Sequence, residues 1–142
     1  MELCSDNLKN IIEEKPKYFQ RQSTEAMNSI EFYISCQLFR ELLECVQFIH
    51  GLKPPIIHRD LKTANILITE ESRNGGFLKL CDFGLAKEHE YCQMSHTEGL
   101  DTFGFIAPEF MGYFGRAHYT TKADIYSLGK ILQKLFDFDI YS

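Results

Sequence analysis

The sequence predicts an α+β fold that is mainly α-helical. Apolar residues recur at helical spacing in two segments, residues 27–50 and 121–136, and this periodicity is typical of amphipathic helices. Between them, residues 66–69 and 77–81 form two short apolar runs separated by turn-forming residues. Such a pair of runs predicts a β-hairpin. We therefore expect one small domain in which helices pack against short strands.

The composition argues against several classes of protein. Of the 142 residues, 44% are hydrophobic and 25% are charged, the balance of a globular domain. A formal net charge of −5 without a basic block argues against nucleic-acid binding. We expect neither a membrane span nor a signal peptide, because no sufficiently long apolar run occurs. The five cysteines include no C-x-x-C pair, so we predict no zinc site, no disulfide framework and a cytoplasmic location.

The first part of the chain carries weak signals. Residues 1–10 have the pattern of a starting strand or loop, with a turn signal at residues 5–7. Residues 13–24 are polar and include Pro16. Because proline disrupts helix interiors, we predict a loop there, preceded at most by a short helix.

The longest predicted helix covers residues 27–50. Gly51 is a candidate C-cap, and Pro54 and Pro55 prevent the helix from continuing. The stripe is interpreted as core, and its members are Met27, Ile30, Ile34, Leu38, Leu42, Cys45, Val46 and Ile49.

Later segments complete the outline. Residues 70–76 predict a hairpin connection longer than two residues, and the long polar segment 85–102 is typical of a functional loop. Thr121 and Asp124 have the spacing of a capping box that opens the second helix. The apolar face of that helix comprises Ile125, Leu128, Ile131, Leu132, Leu135 and Phe136.

Three polar residues follow the apolar pair at residues 56–57. A carboxylate such as Asp60 can accept a proton, the ammonium of Lys62 can stabilise an anion, and the amide oxygen of Asn65 can ligate a hard metal ion. Phosphoryl transfer needs these groups, since its catalysis depends mostly on positioning and electrostatics. A second carboxylate, Asp82, follows the second apolar run and precedes Phe83 and Gly84.

These residues form ordered motifs. Residues 58–65 have the form H-R-D-L-K-x-x-N, residues 82–84 are D-F-G, and residues 107–109 are A-P-E. The chain thereby resembles a eukaryotic protein kinase catalytic domain of the serine/threonine type. The resemblance implies a truncated kinase large lobe with short β-hairpins near the active site. It assigns residues 1–10 to the hinge, 27–50 to the long helix, 56–68 to the catalytic loop and strand, 82–109 to the activation segment and 121–136 to a buried helix.

The resemblance also implies roles for individual residues. Asp60 would be the catalytic base and Lys62 the contact to the γ-phosphate, with Asn65 and Asp82 as magnesium ligands. ATP and Mg²⁺ are the implied cofactors, and a protein serine or threonine is the implied substrate, since tyrosine kinases usually place alanine where Lys62 stands. In the hinge, Met1 would be the gatekeeper, and the implied nucleotide contacts are Glu2, Cys4 and Leu67.

Supporting roles follow from the same resemblance. His58 would pack beneath Phe83, and Gly84 would permit the turn after Asp82. Asp124 would hold the catalytic-loop backbone as well as cap its own helix. Arg59 implies control by activation-loop phosphorylation, with Ser95 and Thr97 as acceptors, Tyr91 as a lesser candidate and Glu98 as a resident acidic substitute. The remaining structural positions are Thr102, which would contact the base, and Glu109.

The resemblance covers the middle of the family's domain. No Gly-rich phosphate loop, strand lysine or partner glutamate precedes Met1, and no helices follow the one that opens near Asp124. We therefore expect a fragment with weak or no activity by itself. The alternative is a non-catalytic, pseudokinase-like binding or scaffold module. A small-molecule phosphotransferase is disfavoured by the A-P-E motif and Thr102. We expect a protein partner, and no nucleic acid or membrane.

Overall fold

The structure is a computed structural model and describes residues 4–73, 76–83, 104–110 and 120–138. Within these ranges the chain forms three helices and three strands. The helices are α1 (Leu8–Tyr18), α2 (Ser29–His50) and α3 (Thr121–Leu135). The strands are β1 (Cys4–Asn7), β2 (Ile66–Arg73) and β3 (Gly76–Leu80), and short 3-10 turns span Thr63–Asn65 and Pro108–Phe110. The predicted α+β, mainly helical class is confirmed.

The strands form one antiparallel sheet in the order β1-β2-β3. Ile66 of β2 pairs with Leu80 of β3, so the predicted hairpin is confirmed. The predicted long connection is wrong, because β2 continues to Arg73, which pairs with Gly76. Polar residues extend the strand, since ladder hydrogen bonds come from the backbone. Only residues 74–75, which lie outside the described residues, separate the strands.

Helix α1 continues through Pro16, so the predicted loop is wrong over residues 13–18. Asn7 caps the start, accepting the Asn10 backbone N–H at 3.0 Å. Pro16 lies in the last turn, where it forfeits a single helical hydrogen bond. The helix then ends cleanly, because Gln20 has a φ of 52° and the Arg21 N–H donates to the Pro16 carbonyl at 2.8 Å.

Helix α2 matches the prediction within two residues at its start and ends at His50, with Gly51 as C-cap. Its C-terminal half buries three predicted core residues, Leu42, Val46 and Ile49. The prediction is wrong for the N-terminal half, where Ile30 is 66% exposed and Ile34 is 38% exposed. Glu31 and Ser35 are fully buried in their place. The inward face of this half is therefore polar.

The polar face of α2 is buried because distant charges meet it. The Arg21 guanidinium binds the Glu31 carboxylate through Nε at 3.0 Å and through its terminal nitrogen at 2.8 Å. It also pairs with Asp137, just beyond α3. Lys15 of α1 donates to the Leu135 carbonyl at 2.6 Å and to the Ser35 hydroxyl at 3.2 Å. These contacts join α1, the start of α2 and the end of α3.

Helix α3 begins at Thr121, but the predicted capping box is wrong. The N-cap is Thr120, whose side chain makes no capping bond, and Asp124 is therefore one position too far along. Of the predicted apolar face, Leu128, Ile131 and Leu135 are buried, whereas Ile125 is 55% exposed. The Asp124 carboxylate points to another part of the chain.

The core lies where α1, α2, the sheet and α3 meet. Its buried residues are Leu8, Leu42, Val46, Leu61, Ile66, Leu78, Phe105, Leu128, Ile131 and Leu135. Ile57 and Ile66, both buried, lie immediately before and after the H-R-D-L-K-x-x-N segment, and Leu61 is buried within it, so hydrophobic burial anchors the predicted catalytic loop. No helix in the described part of the chain has the length and apolar character needed to cross a bilayer.

Candidate active site

The loop between α2 and β2 brings the predicted catalytic residues together. Asn65 donates from its amide nitrogen to both the carbonyl and the Oδ2 of Asp60, each at 2.9 Å. The Lys62 ammonium lies 3.5 Å from the other carboxylate oxygen of Asp60. Asp60 is only 7% exposed. A carboxylate held at both oxygens has a defined direction in which it can accept a proton.

Asp124 fixes the backbone of this loop from below. Its carboxylate is 1% exposed and accepts the N–H groups of His58 at 2.9 Å and Arg59 at 3.0 Å. His50, the last residue of α2, lies with its Nε2 2.7 Å from the same carboxylate. The hydrogen bonds satisfy a buried charge that would otherwise be unfavourable. They also hold the backbone of Arg59 at a φ of 70°, a left-handed conformation that residues other than glycine rarely adopt.

His50 was missed by the sequence analysis. The available signal was weak: a basic residue in the last turn of a predicted helix, where it also suits the helix dipole. Its partner Asp124 is 74 residues away in sequence. Nothing in the local sequence pairs the two.

His58 is fully buried and uses both ring nitrogens. The Asp60 N–H lies 3.3 Å from Nδ1, which assigns the proton to Nε2, and Nε2 then donates to the Cys81 carbonyl at 2.9 Å. The Phe83 ring packs on the imidazole with a centroid separation of 4.8 Å. A neutral ring with both nitrogens occupied holds the loop together and has no free lone pair for general-base chemistry.

The site has two arms: the first is the loop that carries Asp60, Lys62 and Asn65, and the second is the segment 81–83 that follows β3. The Cys81 N–H donates to the Asn65 carbonyl at 3.0 Å, so the end of β3 is tied to the end of the catalytic loop. Asp82 comes next, with an exposed side chain and a φ of 60°. Cys81, the residue immediately before Asp82, is therefore held by two hydrogen bonds, one with the His58 ring and one with the Asn65 carbonyl.

The oxygens of Asn65 and Asp82 are suited to magnesium. Asn65 uses its amide nitrogen on Asp60, so the amide oxygen is the atom that could ligate a cation. The Asp82 carboxylate supplies a second hard donor. No three His, Cys, Asp or Glu side chains within the described ranges converge as a closed metal site. The pair could therefore hold Mg²⁺ only with water and phosphate oxygens completing the shell, which is how Mg²⁺ is usually bound.

The predicted nucleotide contacts are only partly described. Cys4 begins β1 and pairs with Thr69 of β2, and Leu67 pairs with Asn7. Cys4 and Leu67 therefore lie on neighbouring strands of one sheet. The remaining predicted residues lie outside the described residues: Met1, Glu2, Gly84, Tyr91, Ser95, Thr97, Glu98 and Thr102.

The A-P-E segment rests on α3. The Ser127 hydroxyl donates to the Phe105 carbonyl at 2.7 Å, and Ala107 and Phe110 pack against Ala123. Glu109 is exposed on the 3-10 turn. Helix α3 thus supports both this segment and the catalytic loop.

A hydrogen-bonded Asp-Lys-Asn loop followed by a hairpin that ends in D-F-G defines the large-lobe active site of protein kinases. The family model described as "Protein kinase domain" matches residues 1–141. The chain belongs to the protein kinase family.

Several relatives carry the name of serine/threonine kinases. The chain is 44% identical over 90 residues to "Probable serine/threonine-protein kinase PBL15" of Arabidopsis thaliana, covering 62% of this chain and 20% of that protein. It is 34% identical over 140 residues to "Probable serine/threonine-protein kinase PBL16" of the same plant, covering 93% and 32%. The chain thus spans between about a fifth and a third of these relatives' length.

A solved structure has the same fold. The crystal structure of the yeast RNA Pol II CTD kinase CTDK-1 complex contains a chain that superposes with a TM-score of 0.67 at 28% identity. The match covers 96% of this chain and 38% of that chain. The similarity therefore extends over almost all of the present sequence.

Proposed function

We propose that this chain carries the catalytic loop of a serine/threonine protein kinase that transfers the ATP γ-phosphoryl group to protein hydroxyls. The observation that carries the proposal is the double hydrogen bond from Asn65 to Asp60, with Lys62 at the other carboxylate oxygen. These three groups meet in the arrangement that positioning and charge stabilisation require. The names of the relatives support serine and threonine as the acceptors.

Asp60 is assigned the role of base. The substrate hydroxyl would donate to the Asp60 carboxylate, which orients it and accepts its proton. The Lys62 ammonium, already beside that carboxylate, would stabilise negative charge on the transferred group. Asn65 fixes the carboxylate and offers its amide oxygen to a cation.

Asn65 and Asp82 are assigned to Mg²⁺, and Cys4 and Leu67 to the nucleotide. The metal ion, when bound, neutralises phosphate charge. The exposed Asp82 carboxylate is open to solvent and nucleotide, while the Cys81–Asn65 hydrogen bond keeps the two arms adjacent. Arg59 is proposed as the contact for a phosphorylated Ser95 or Thr97. Within the described ranges Cys36, Cys45 and Cys81 form no disulfide, which supports the cytoplasm as the compartment.

Phosphotransfer from γ-labelled ATP to casein, followed by phospho-amino-acid analysis, tests the proposal. We expect label on serine or threonine, and a loss of roughly 10²- to 10⁴-fold in Asp60→Asn, because the base is removed. Glu44→Gln, at an exposed position on α2, is the matched control and should retain activity.

Calorimetry with Mg·ATP separates binding from transfer. Asp82→Asn should weaken the Mg²⁺-dependent part of nucleotide binding. A folded protein that binds Mg·ATP yet labels no substrate, or an Asp60→Asn variant with full activity, would contradict the proposed reaction. The first outcome would favour a binding module.

A further inference from the structure

The outer edge of β3 is bound by a helix instead of a strand. In the described sheet β3 is a terminal strand, with β2 on one side only. On its other side, the Oε2 of Glu41 in α2 accepts the N–H of Phe77 at 2.7 Å and the N–H of Leu78 at 3.0 Å. One carboxylate oxygen thereby accepts two consecutive backbone donors at the point where the β2–β3 register is irregular, between Ile68 and Arg73 of β2.

Cys45, one helical turn after Glu41, adds a weaker contact to the same strand. Its thiol lies 3.9 Å from the Leu78 carbonyl, a sulfur hydrogen bond. Burial, reinforced by the negative charges of Glu41 and Glu44, raises the pKa of the Cys45 thiol and keeps it protonated as a donor. Both backbone groups of Leu78 are therefore bound by α2.

The position of these contacts links them to the active site. Leu78 lies four residues before Asp82, in a strand whose next residues are tied to Asn65. The same helix reaches the other arm of the site through His50 and Asp124. Nine residues separate Glu41 from His50, which is about 14 Å of rigid helix. Helix α2 therefore contacts both arms.

We propose that Glu41 is a positioning residue that holds β3, and through it Asp82, in register with Asn65. The consequence for Mg²⁺ binding rests on the proposed function, whereas the mechanical role does not. Glu41 is 9% exposed, and its carboxylate makes charge-assisted bonds to two consecutive amides. The carboxylate also lies beside Gly76, since a Cβ built there would be in ordinary van der Waals contact with Oε2 at 3.6 Å.

Hydrogen exchange at the Cys81 amide tests the mechanical role. That amide donates to the Asn65 carbonyl, so its protection reports whether the two arms stay joined. Glu41→Met keeps length and burial but removes the acceptor, and it should accelerate Cys81 exchange roughly fivefold to tenfold, the loss of about one hydrogen bond. Glu41→Gln retains an amide oxygen and should restore most of the protection.

Val46→Ala is the matched control. Val46 is 2% exposed on the same helix and contributes to the core without a hydrogen bond to β3. It should lower global stability while leaving the ratio of Cys81 exchange to core exchange unchanged. If Val46→Ala accelerates Cys81 as much as Glu41→Met does, or if Glu41→Met leaves Cys81 protected, the proposal is overturned.

If Glu41→Met fails to fold, Cys45→Ala provides a second test of the same role. This variant removes only the donor to the Leu78 carbonyl, so we expect a smaller acceleration at Cys81 in the same direction. Unchanged exchange at Cys81 in Cys45→Ala, with Glu41→Met unfolded, would assign Glu41 to overall stability and overturn the positioning role.

Calorimetry with ADP at varied Mg²⁺ adds the functional readout. The Mg²⁺ concentration for half-saturation should rise several-fold in Glu41→Met and return towards the parent value in Glu41→Gln, because Asp82 is displaced in the former. A parent chain that binds no Mg·ADP would count against the proposed function, and the exchange data alone would then decide the role of Glu41. Equal Mg²⁺ requirements in parent and Glu41→Met would overturn the link to Asp82.

Discussion

Helices α2 and α3 run antiparallel, and their two ends are joined by different chemistry. At one end, the buried Asp124 carboxylate of α3 receives two loop N–H groups and the imidazole of His50. At the other end, the buried Glu31 carboxylate of α2 meets the cations of Arg21 and Lys15. One acid is satisfied mainly by dipoles and the other by charges.

The difference suggests two roles: the contacts of Asp124 position the loop, and the contacts of Glu31 hold the helices together. The two backbone N–H groups belong to the proposed catalytic loop, so their hydrogen bonds to Asp124 fix the position of that loop directly. The cations at Glu31 are carried on long side chains from α1 and the segment after it, so they hold elements together with more freedom. Stability should therefore depend most on Glu31, and phosphotransfer most on Asp124.

Glu31→Ala is expected to have the largest effect on stability. It leaves Arg21 and Lys15 buried without their shared carboxylate, and breaking a buried pair in this way costs about 3–5 kcal/mol. Urea denaturation measures the loss. Glu44→Ala, which removes a 61% exposed partner of Arg40, is the control and should change stability by less than about 1 kcal/mol. Equal losses in the two variants would refute the cohesive role of Glu31.

Asp124→Asn should have a smaller effect on stability and a larger one on phosphotransfer. The amide keeps one acceptor and turns N–H groups towards the loop donors, which costs about 1–3 kcal/mol. Displacement of the loop carrying Asp60 should lower kcat by roughly 10²-fold. Asp137→Asn, at the opposite end of α3, is the control, and kcat is measured on samples of verified folded fraction. If Asp137→Asn lowers kcat as much as Asp124→Asn does, the two ends of α3 do not differ as described.

The smallest expected effect is on the pH dependence of stability. Burial lowers the pKa of Lys15 below its usual 10.5, with Asp137 and Glu31 opposing the shift. Between the folded and the unfolded pKa the unfolded chain binds more protons, so the Lys15 contribution rises with pH in that window. The difference in free energy of unfolding between the parent and Lys15→Met should therefore shift in favour of the parent as the pH rises from neutral towards 10.5.

Urea titrations of both proteins across this range provide the measurement. Cys45 acts in the opposite direction, because burial raises its pKa, but it is common to both proteins and cancels in the difference. A difference that stays constant up to pH 10.5 would mean that Lys15 keeps its usual affinity for protons.

The local motifs of the site could be predicted because spacing alone defines them. The segments around Asp60 and Asp82 are short, and the helix up to His50 carries its own periodicity and stop signals. The site could be assigned to a family from these signals. Its second layer could not, because Asp124 meets His50 and the loop across 65 to 74 residues of sequence.

The errors have a common physical cause. The start of α2 was assigned an apolar inward face, yet Glu31 and Ser35 are buried because Arg21 and Lys15 approach from elsewhere. Helix α1 includes Pro16 in its last turn, and the neighbouring Lys15 is anchored to the Leu135 carbonyl, 120 residues away. In each case a tertiary contact accompanies a departure from the local preference, and the periodicity of one segment cannot predict such a contact.

Arg59 and Asp82, each beside or within the proposed catalytic site, adopt left-handed backbone conformations with φ of 70° and 60°. Glycine would occupy either position at lower conformational energy, since it lacks the Cβ that makes this region unfavourable. Glycine at either position would therefore relieve backbone strain, but it would also remove the side chain to which the proposed function assigns a phosphate contact or a Mg²⁺ ligand.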